Sequence, residues 1–387
     1  MIELTCAVQT YEWGKHGKNS KVAEYAKTCC KDFELSDSKP YAELWMGDHP
    51  NGPCFIKSDS CPLSVYLKTN KKVLGAFESL PFLFKVLSIE KALSIQAHPD
   101  KKLAAELHEK FPNVYKDANH KPEMTLALTE FEALCGFRDI EEIIMFTNTF
   151  EEFGALFDVE IVKQKKRDRE LLKEMFTTLM KTDHGKIVSL LQSLNKRLEN
   201  KKHKRGSIEE LFQRIYNQFP DDIGCFCLFF LNYVILKPGD AMFLKANEPH
   251  AYISGDCVEC MASSDNVVRA GLTPKLKDVE VLTKMLTYEY GSAESKLLKA
   301  EKIGMHSLLY DPPIDEFSVV AVMLKENERE ELKGVDGPSI LIVTEGEGQV
   351  NDVEVKSGQV FLNSAGNALK IKSISNIAIF IATCGDF

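Results

Sequence analysis

The chain has 387 residues, 44% of them hydrophobic and 27% charged, which is too long for one ordinary domain and excludes disordered, collagen-like and coiled-coil classes. With 48 basic and 57 acidic residues the net charge is −9, a field that repels polyanions and argues against a nucleic-acid partner. Eleven cysteines, an odd number, together with no export signal, fit a reducing, cytoplasmic setting in which cysteines are small buried hydrophobes.

The start, MIELTCAVQTYEWG, has neither the basic opening nor the apolar run of roughly 7 to 15 residues that a signal peptide needs. From Leu80 the run LPFLFKVLSI predicts a strand buried on both faces. Lys85 stands in its middle, where an ammonium is costly unless it reaches water or an anion, so either it faces an anionic pocket or it snorkels past the sheet edge. The next strand-like piece, Ser94 to Pro99, puts Ser94, Gln96 and His98 on one face and Ile95 and Ala97 on the other. Tyr115 to Thr125 (YKDANHKPEMT) is a dense polar cluster, and Pro122 biases Lys121 to an extended conformation, so Lys121 and Glu123 project together as a strand begins.

Between Ile140 and Phe219 the pattern becomes helical: Leu171, Leu172, Met175, Phe176, Leu179 and Met180 recur at helix spacing, then Leu190, Leu191, Leu194 and Leu198. Two basic clusters here, Lys163 to Arg169 and Lys196 to Arg205, read as solvated helix surface. Phe219-Pro220-Asp221-Asp222 predicts a helix start with proline in its first turn. The longest apolar stretch, Cys225 to Leu236, is broken by Asn232 and falls short of the ~20 residues of a membrane span. After the Lys237-Pro-Gly-Asp240 turn a strand leads to Glu248-Pro-His250-Ala-Tyr252. Cys257-Val-Glu-Cys260 has no second pair at zinc-finger spacing and reads as core.

The loop Asp265-Asn266 then leads to Arg269, whose fork of donors suits a phosphate or a developing enediolate, with an ion pair to Asp265 as the structural alternative. Past residue 300, short alternating segments predict a second all-β unit, sandwich or barrel, with little chemistry. A faint echo between 236–244 and 355–362, strand, glycine turn, strand, fits two related barrels or a chance match.

Gln96, His98, Glu123 and His250 together offer donors suited to zinc and its neighbours, and one carboxylate against a dication leaves +1 for an anionic substrate. The same donors would also serve an iron-dependent oxygenase or a silent sugar-binding protein, although the lysine and arginine residues nearby disfavour the first.

These segments resemble type I phosphomannose isomerases. The motifs that carry the likeness are YEWG (11–14), AELWMGDHPNGP (42–53), LPFLFKVLSI (80–89), SIQAHPDK (94–101), YKDANHKPEM (115–124), FLKANEPHAYISG (243–255) and MASSDNVVRAGLTPK (261–275). The resemblance implies a mainly β fold of two cupin-like (jelly-roll) barrels with an α-helical insertion. The expected division is 1–145 and 223–300 for the catalytic barrel, 146–222 for the helices and 301–387 for the second barrel. It implies one zinc ion per chain on Gln96, His98, Glu123 and His250, a catalytic Arg269, and pocket residues Ser94, Lys85, Lys121, Tyr252 and Glu259, with Asp265 joining the substrate contacts. The implied reaction interconverts mannose 6-phosphate and fructose 6-phosphate through an enediol, supplying GDP-mannose synthesis. Glu259 is the expected proton-transferring base, and Lys121 and His120 are expected to assist ring opening. The expected partner is a small phosphorylated sugar, with no membrane and a monomeric chain as the simplest state.

Overall fold

The computed structural model describes residues 1–158, 162 and 165–385. It is a mixed, β-rich fold interrupted by helices. The largest sheet has eleven strands, its main path running Leu297–Leu298, Ala241–Leu244, Glu123–Ala127, His250–Ala262, Phe82–Ile89, Glu43–Met46 and Ala7–Gln9. Ile95–Ala97, Val268–Gly271, Phe131–Phe137 and Leu231–Leu236 attach around the first half of the His250 strand.

That strand changes partners midway. Residues 250–254 pair with Phe131–Phe137 and Ile95–Ala97, and 255–262 pair with Phe82–Ile89 and Glu123–Ala127. The change falls at Gly255, whose φ of +112° is hostile to a side chain and whose added Cβ would meet the Glu130 carbonyl oxygen at 2.5 Å. One continuous strand thereby carries His250 and Glu259 into the same region.

Alternation sorts the sheet's two faces. Phe84, Val86, Leu44, Met124, Leu126, Val258 and Cys260 face a core shared with strands of the C-terminal half, such as Val319, Ile340 and Phe380. The other face carries Trp45, Lys85, Glu259 and Thr125, which lie on one rung across four strands. Cys257 and Cys260 fall on opposite faces and in different core clusters, so they cannot share a ligand. All eleven cysteines are free thiols.

The helices Ile140–Thr149, Arg169–Lys181, His184–Leu198 and Ile208–Gln218 start at Asp139, Asp168, Asp183 and Ser207, each side chain accepting from the first turn. Their apolar stripes meet Phe153, Phe226, Phe229 and Phe230; the Phe153 and Phe229 rings stack at 4.8 Å. Into this core also point Ile95, Ala97, Ala251, Ile253, Val268 and Ala270. The helical insertion is thus the backing wall of the strands that carry Gln96, His250 and Arg269, and it forces those polar neighbours to the opposite face.

The expected helix start at Pro220 is corrected: the helix begins at Gly224. The Asp222 carboxylate takes the backbone N–H groups of Gly224, Leu272 and Thr273, which fixes residues 219–222 as a turn. Of the first basic cluster, Lys163 lies outside the described residues; Lys165, Lys166, Arg167 and Arg169 form surface ion pairs with Glu174, Asp168, Glu141 and Glu289. Arg197, in the second cluster, instead closes its fork on the buried Glu152 at 2.9 and 2.6 Å.

Among the described residues, six strands of the C-terminal half join Ile2–Thr5 and Phe55–Ile56 in an eight-stranded sheet, which with a four-stranded one surrounds a third core. The chain's first strand, Ile2–Thr5, belongs to the eight-stranded sheet, with Ile2 opposite Leu362 and Glu3 opposite Phe361. Gly239 and Gly358, the turn glycines of the internal echo, have φ of +89° and +87°. No helix among the described residues is long and apolar enough to cross a membrane.

Candidate metal centre and active site

His98, Glu123 and His250 are buried side by side, their ligand atoms all within 4.8 Å of one another. The His98 ring donates Nδ1–H to the Asn266 carbonyl at 2.7 Å, and the His250 ring donates Nδ1–H to the Glu248 carbonyl at 3.1 Å. Both Nε2 atoms are left bare, aimed at Glu123, and without a hydrogen-bond partner; so is Glu123 Oε2. Three orphaned buried polar atoms in one place demand an occupant. Nε2 of His98 lies 3.4 Å from Glu123 Oε1 and Nε2 of His250 lies 3.3 Å from Oε2. With ligand distances of ~2.0–2.1 Å, the edge of a tetrahedron around zinc is about 3.3 Å, and each imidazole stands about one such edge from a Glu123 oxygen, His98 from Oε1 and His250 from Oε2.

Electrostatics agree. Burial lowers the His98 pKa to about 4, against the pull of Glu123, so the ring is neutral and able to ligate. Burial alone would raise the Glu123 carboxyl, but the charge of Lys121, with Nζ 2.8 Å from Oε1, is the chief influence that holds it well below the usual range. Gln96 sits opposite both His250 and Arg269 in the sheet register, and among the described residues its carboxamide makes no hydrogen bond.

Behind His98 lies a polar brace. Asp117 accepts from Ser264 Oγ (2.8 Å), from the Asp265 amide (2.9 Å) and, through its backbone carbonyl, from Asn266 Nδ2 (2.7 Å), which fixes the carbonyl that orients His98. Asp117→Ala is therefore expected to weaken metal affinity about 10- to 100-fold while leaving every donor in place, as read by competition with a chromogenic chelator.

Lys85 is buried, and its charge is met by the chain itself: Nζ lies 3.1 Å from Glu259 and 3.5 Å from Glu43, and 5.1 Å from the centre of the Trp45 ring. Burial would lower its pKa, but Glu43, Glu259 and Glu123 raise it further, so it stays charged. Burial raises the Glu259 carboxyl, partly offset by Lys85. Glu43 and Trp45 were invisible as site residues in the sequence; only the alternation within AELWMG, put in register with the Lys85 strand, reveals them.

Arg269 is half-buried, and among the described residues it has neither an ion pair nor a side-chain hydrogen bond; burial alone lowers its pKa. The alternative partner, Asp265, faces His49 at 3.5 Å instead. Tyr252 is buried beside His250, its hydroxyl accepting from Thr125 at 2.7 Å. His120 pairs with Glu316 from the C-terminal half, a partner with no signature near it in sequence. Ser94 is partly buried two residues before Gln96, on the loop entering that strand.

The sequence matches the families phosphomannose isomerase type I, catalytic domain, over residues 1–140, helical insertion domain over 148–231, and C-terminal over 307–351. Mannose-6-phosphate isomerase of Schizosaccharomyces pombe is 43% identical over 411 residues, covering 99% of this chain and all of that one. The Bos taurus protein of the same name is 41% identical, covering 99% and 98%. Among solved structures, mannose 6-phosphate isomerase bound with zinc and yttrium superposes with a TM-score of 0.87 at 29% identity over both full chains. The apo form from Salmonella typhimurium gives 0.86 at 29% identity, over 100% of this chain and 99% of that one.

Proposed function

The chain belongs to the type I phosphomannose isomerase family and isomerises mannose 6-phosphate, and from that premise we propose that it forms fructose 6-phosphate at the His98–Glu123–His250 centre. The observation that carries the reading is the set of orphaned donor atoms on His98, Glu123 and His250, whose ligand atoms group within 4.8 Å, beside a half-buried arginine that has no ion pair among the described residues. One zinc ion would be held by His98, Glu123, His250 and Gln96; when bound, it supplies a positive centre that polarises a sugar oxygen.

The remaining work falls to the chain's own groups. His120 and Lys121 assist ring opening. Glu259 takes the proton from C2 and returns it to C1; burial raises its pKa and so strengthens it as a base, and Lys85 fixes its position. Arg269 stabilises the enediolate charge, and Ser94, Lys85, Tyr252 and Asp265 line the substrate's space. The two sheet systems are read as cupin-like barrels, divided at 1–145, 146–222, 223–300 and 301–387; the matched turn glycines support their kinship. A cytoplasmic site of action, a monomeric state and a role in supplying GDP-mannose synthesis complete the reading.

The test is metal analysis alongside a coupled assay of mannose 6-phosphate conversion. Chelation is expected to remove about one equivalent of zinc and all turnover, with both restored by zinc; full activity in metal-free protein would overturn the proposal.

A further inference from the structure

The His120–Glu316 pair is separate from the metal ligands and joins two distant parts of the chain. Glu316 sits on the loop 311–317 between the strands Ser307–Tyr310 and Ser318–Leu324. That loop is held firmly. Pro312 and Pro313 restrict its backbone, Phe317 is buried in the core shared by the two sheet systems, and Ile314 packs against the same core. At its start, Tyr310 donates its hydroxyl to the Gly239 carbonyl at 2.7 Å, in the turn that feeds the strand paired with Glu123–Ala127. The loop therefore presents Glu316 to the catalytic half at a fixed height.

The receiving segment is equally fixed. Asn119 donates Nδ2–H to the Ser263 carbonyl at 3.2 Å, and its own carbonyl accepts from Ser264 Oγ at 3.1 Å and from Asn266 Nδ2 at 3.0 Å. His120 follows, its Nε2 on Glu316 Oε1, with both side chains largely shielded from solvent at 17% exposure. Among the described residues, Glu316 has no second ion-pair partner and His120 Nδ1 has no protein partner. An acceptor-only carboxylate on Nε2 requires the proton there, which leaves Nδ1 as the free atom of the ring.

We propose that Glu316 is a positioning residue of the active site: the C-terminal half orients His120 and fixes its tautomer, so that Nδ1 exchanges the proton needed to open the sugar ring. The arrangement is the base-and-orienting-carboxylate logic of catalytic dyads, with the two groups 196 residues apart. It gives the C-terminal half a task in catalysis that packing alone would not. The proposal rests on the ring-opening role read for His120, and the experiment separates the two.

Four zinc-loaded proteins are compared on mannose 6-phosphate: wild type, Glu316→Gln, His120→Asn and the double variant. Glu316→Gln keeps the shape and an oxygen but removes the charge that dictates the tautomer. It should lower kcat about 10- to 100-fold with KM within about twofold and zinc content unchanged. In the His120→Asn background, the same substitution should change kcat by less than about twofold, because a residue acting only through His120 has nothing left to act on. Unchanged kcat in Glu316→Gln, with or without a lowered melting temperature, reduces the pair to a tether and overturns the inference. An undiminished loss in the His120→Asn background overturns it too, as does a His120→Asn protein with wild-type kcat, which also withdraws the ring-opening role.

Discussion

His250→Ala is expected to yield a folded protein that retains less than about a tenth of the zinc of wild type after dialysis and has lost at least ~10³-fold in turnover, equivalent to about 4 kcal/mol of barrier. The argument is one of replacement. His250 Nε2 is one of three bare donors, and its ring is held by a bond from Nδ1 to the Glu248 carbonyl, so it is already aimed before any ion arrives. Alanine leaves a cavity beside Tyr252 and no donor atom, and no other histidine or carboxylate is grouped with His98 and Glu123 among the described residues. An oriented ligand costs more to lose than a residue that merely orients it, so the effect must exceed that of Asp117→Ala. Zinc analysis and the coupled assay on the same sample decide it. A variant with full zinc and full turnover would remove His250 from the centre.

How much of this could be read from the sequence depends on the range of the information. The period-two pattern of LPFLFKVLSI and SIQAHP states locally which side chains share a face, and Ile95 and Ala97 do turn into the helical core while Gln96 lies across from His250. The helical spacing from Leu171 to Leu198 is local in the same way. The grouping of His98, Glu123 and His250 is not local. It requires Gly255 to bend one strand so that it serves two sets of partners, and a glycine in a strand says only that something unusual happens there. Pro220 does not start a helix because the competing partner, the Asp222 carboxylate, binds amides fifty residues away at Leu272 and Thr273.

Lys85 shows the same limit from the other side. That a buried ammonium needs an anion follows from burial cost alone, and the sequence could not say whether the chain or a ligand supplies it. The structure supplies two carboxylates, one of which, Glu43, belongs to a stretch that reads as ordinary sheet. Glu259 cannot then be a freely solvated base. It is a base whose charge is balanced by Lys85, and removing either partner would strand a buried charge.

Among the described residues, Arg269 differs from Lys85, Lys121, Lys15 and Lys296 in having no ion-pair partner, and that fixes the second large expectation. Lys85, Lys121, Lys15 and Lys296 each end on a carboxylate: Glu259, Glu123, Asp256 and Glu248. The strand Val268–Gly271 holds the Arg269 backbone opposite Gln96, with Val268 and Ala270 locked in the helical core, and among the described residues its charge is uncommitted. A cation held in that state does little for the resting protein and is available for charge that appears during the reaction. Arg269→Ala should therefore keep its zinc and its melting temperature while kcat falls by about 10²–10³, the range found when one preorganised donor to a developing oxyanion is removed. Arg269→Lys should recover little, because an ammonium cannot reproduce the planar fork. Added guanidinium should restore turnover to the alanine variant in a saturable way. Loss of zinc from Arg269→Ala would show instead that its work is to maintain the centre, since only a group acting on the substrate separates turnover from metal content.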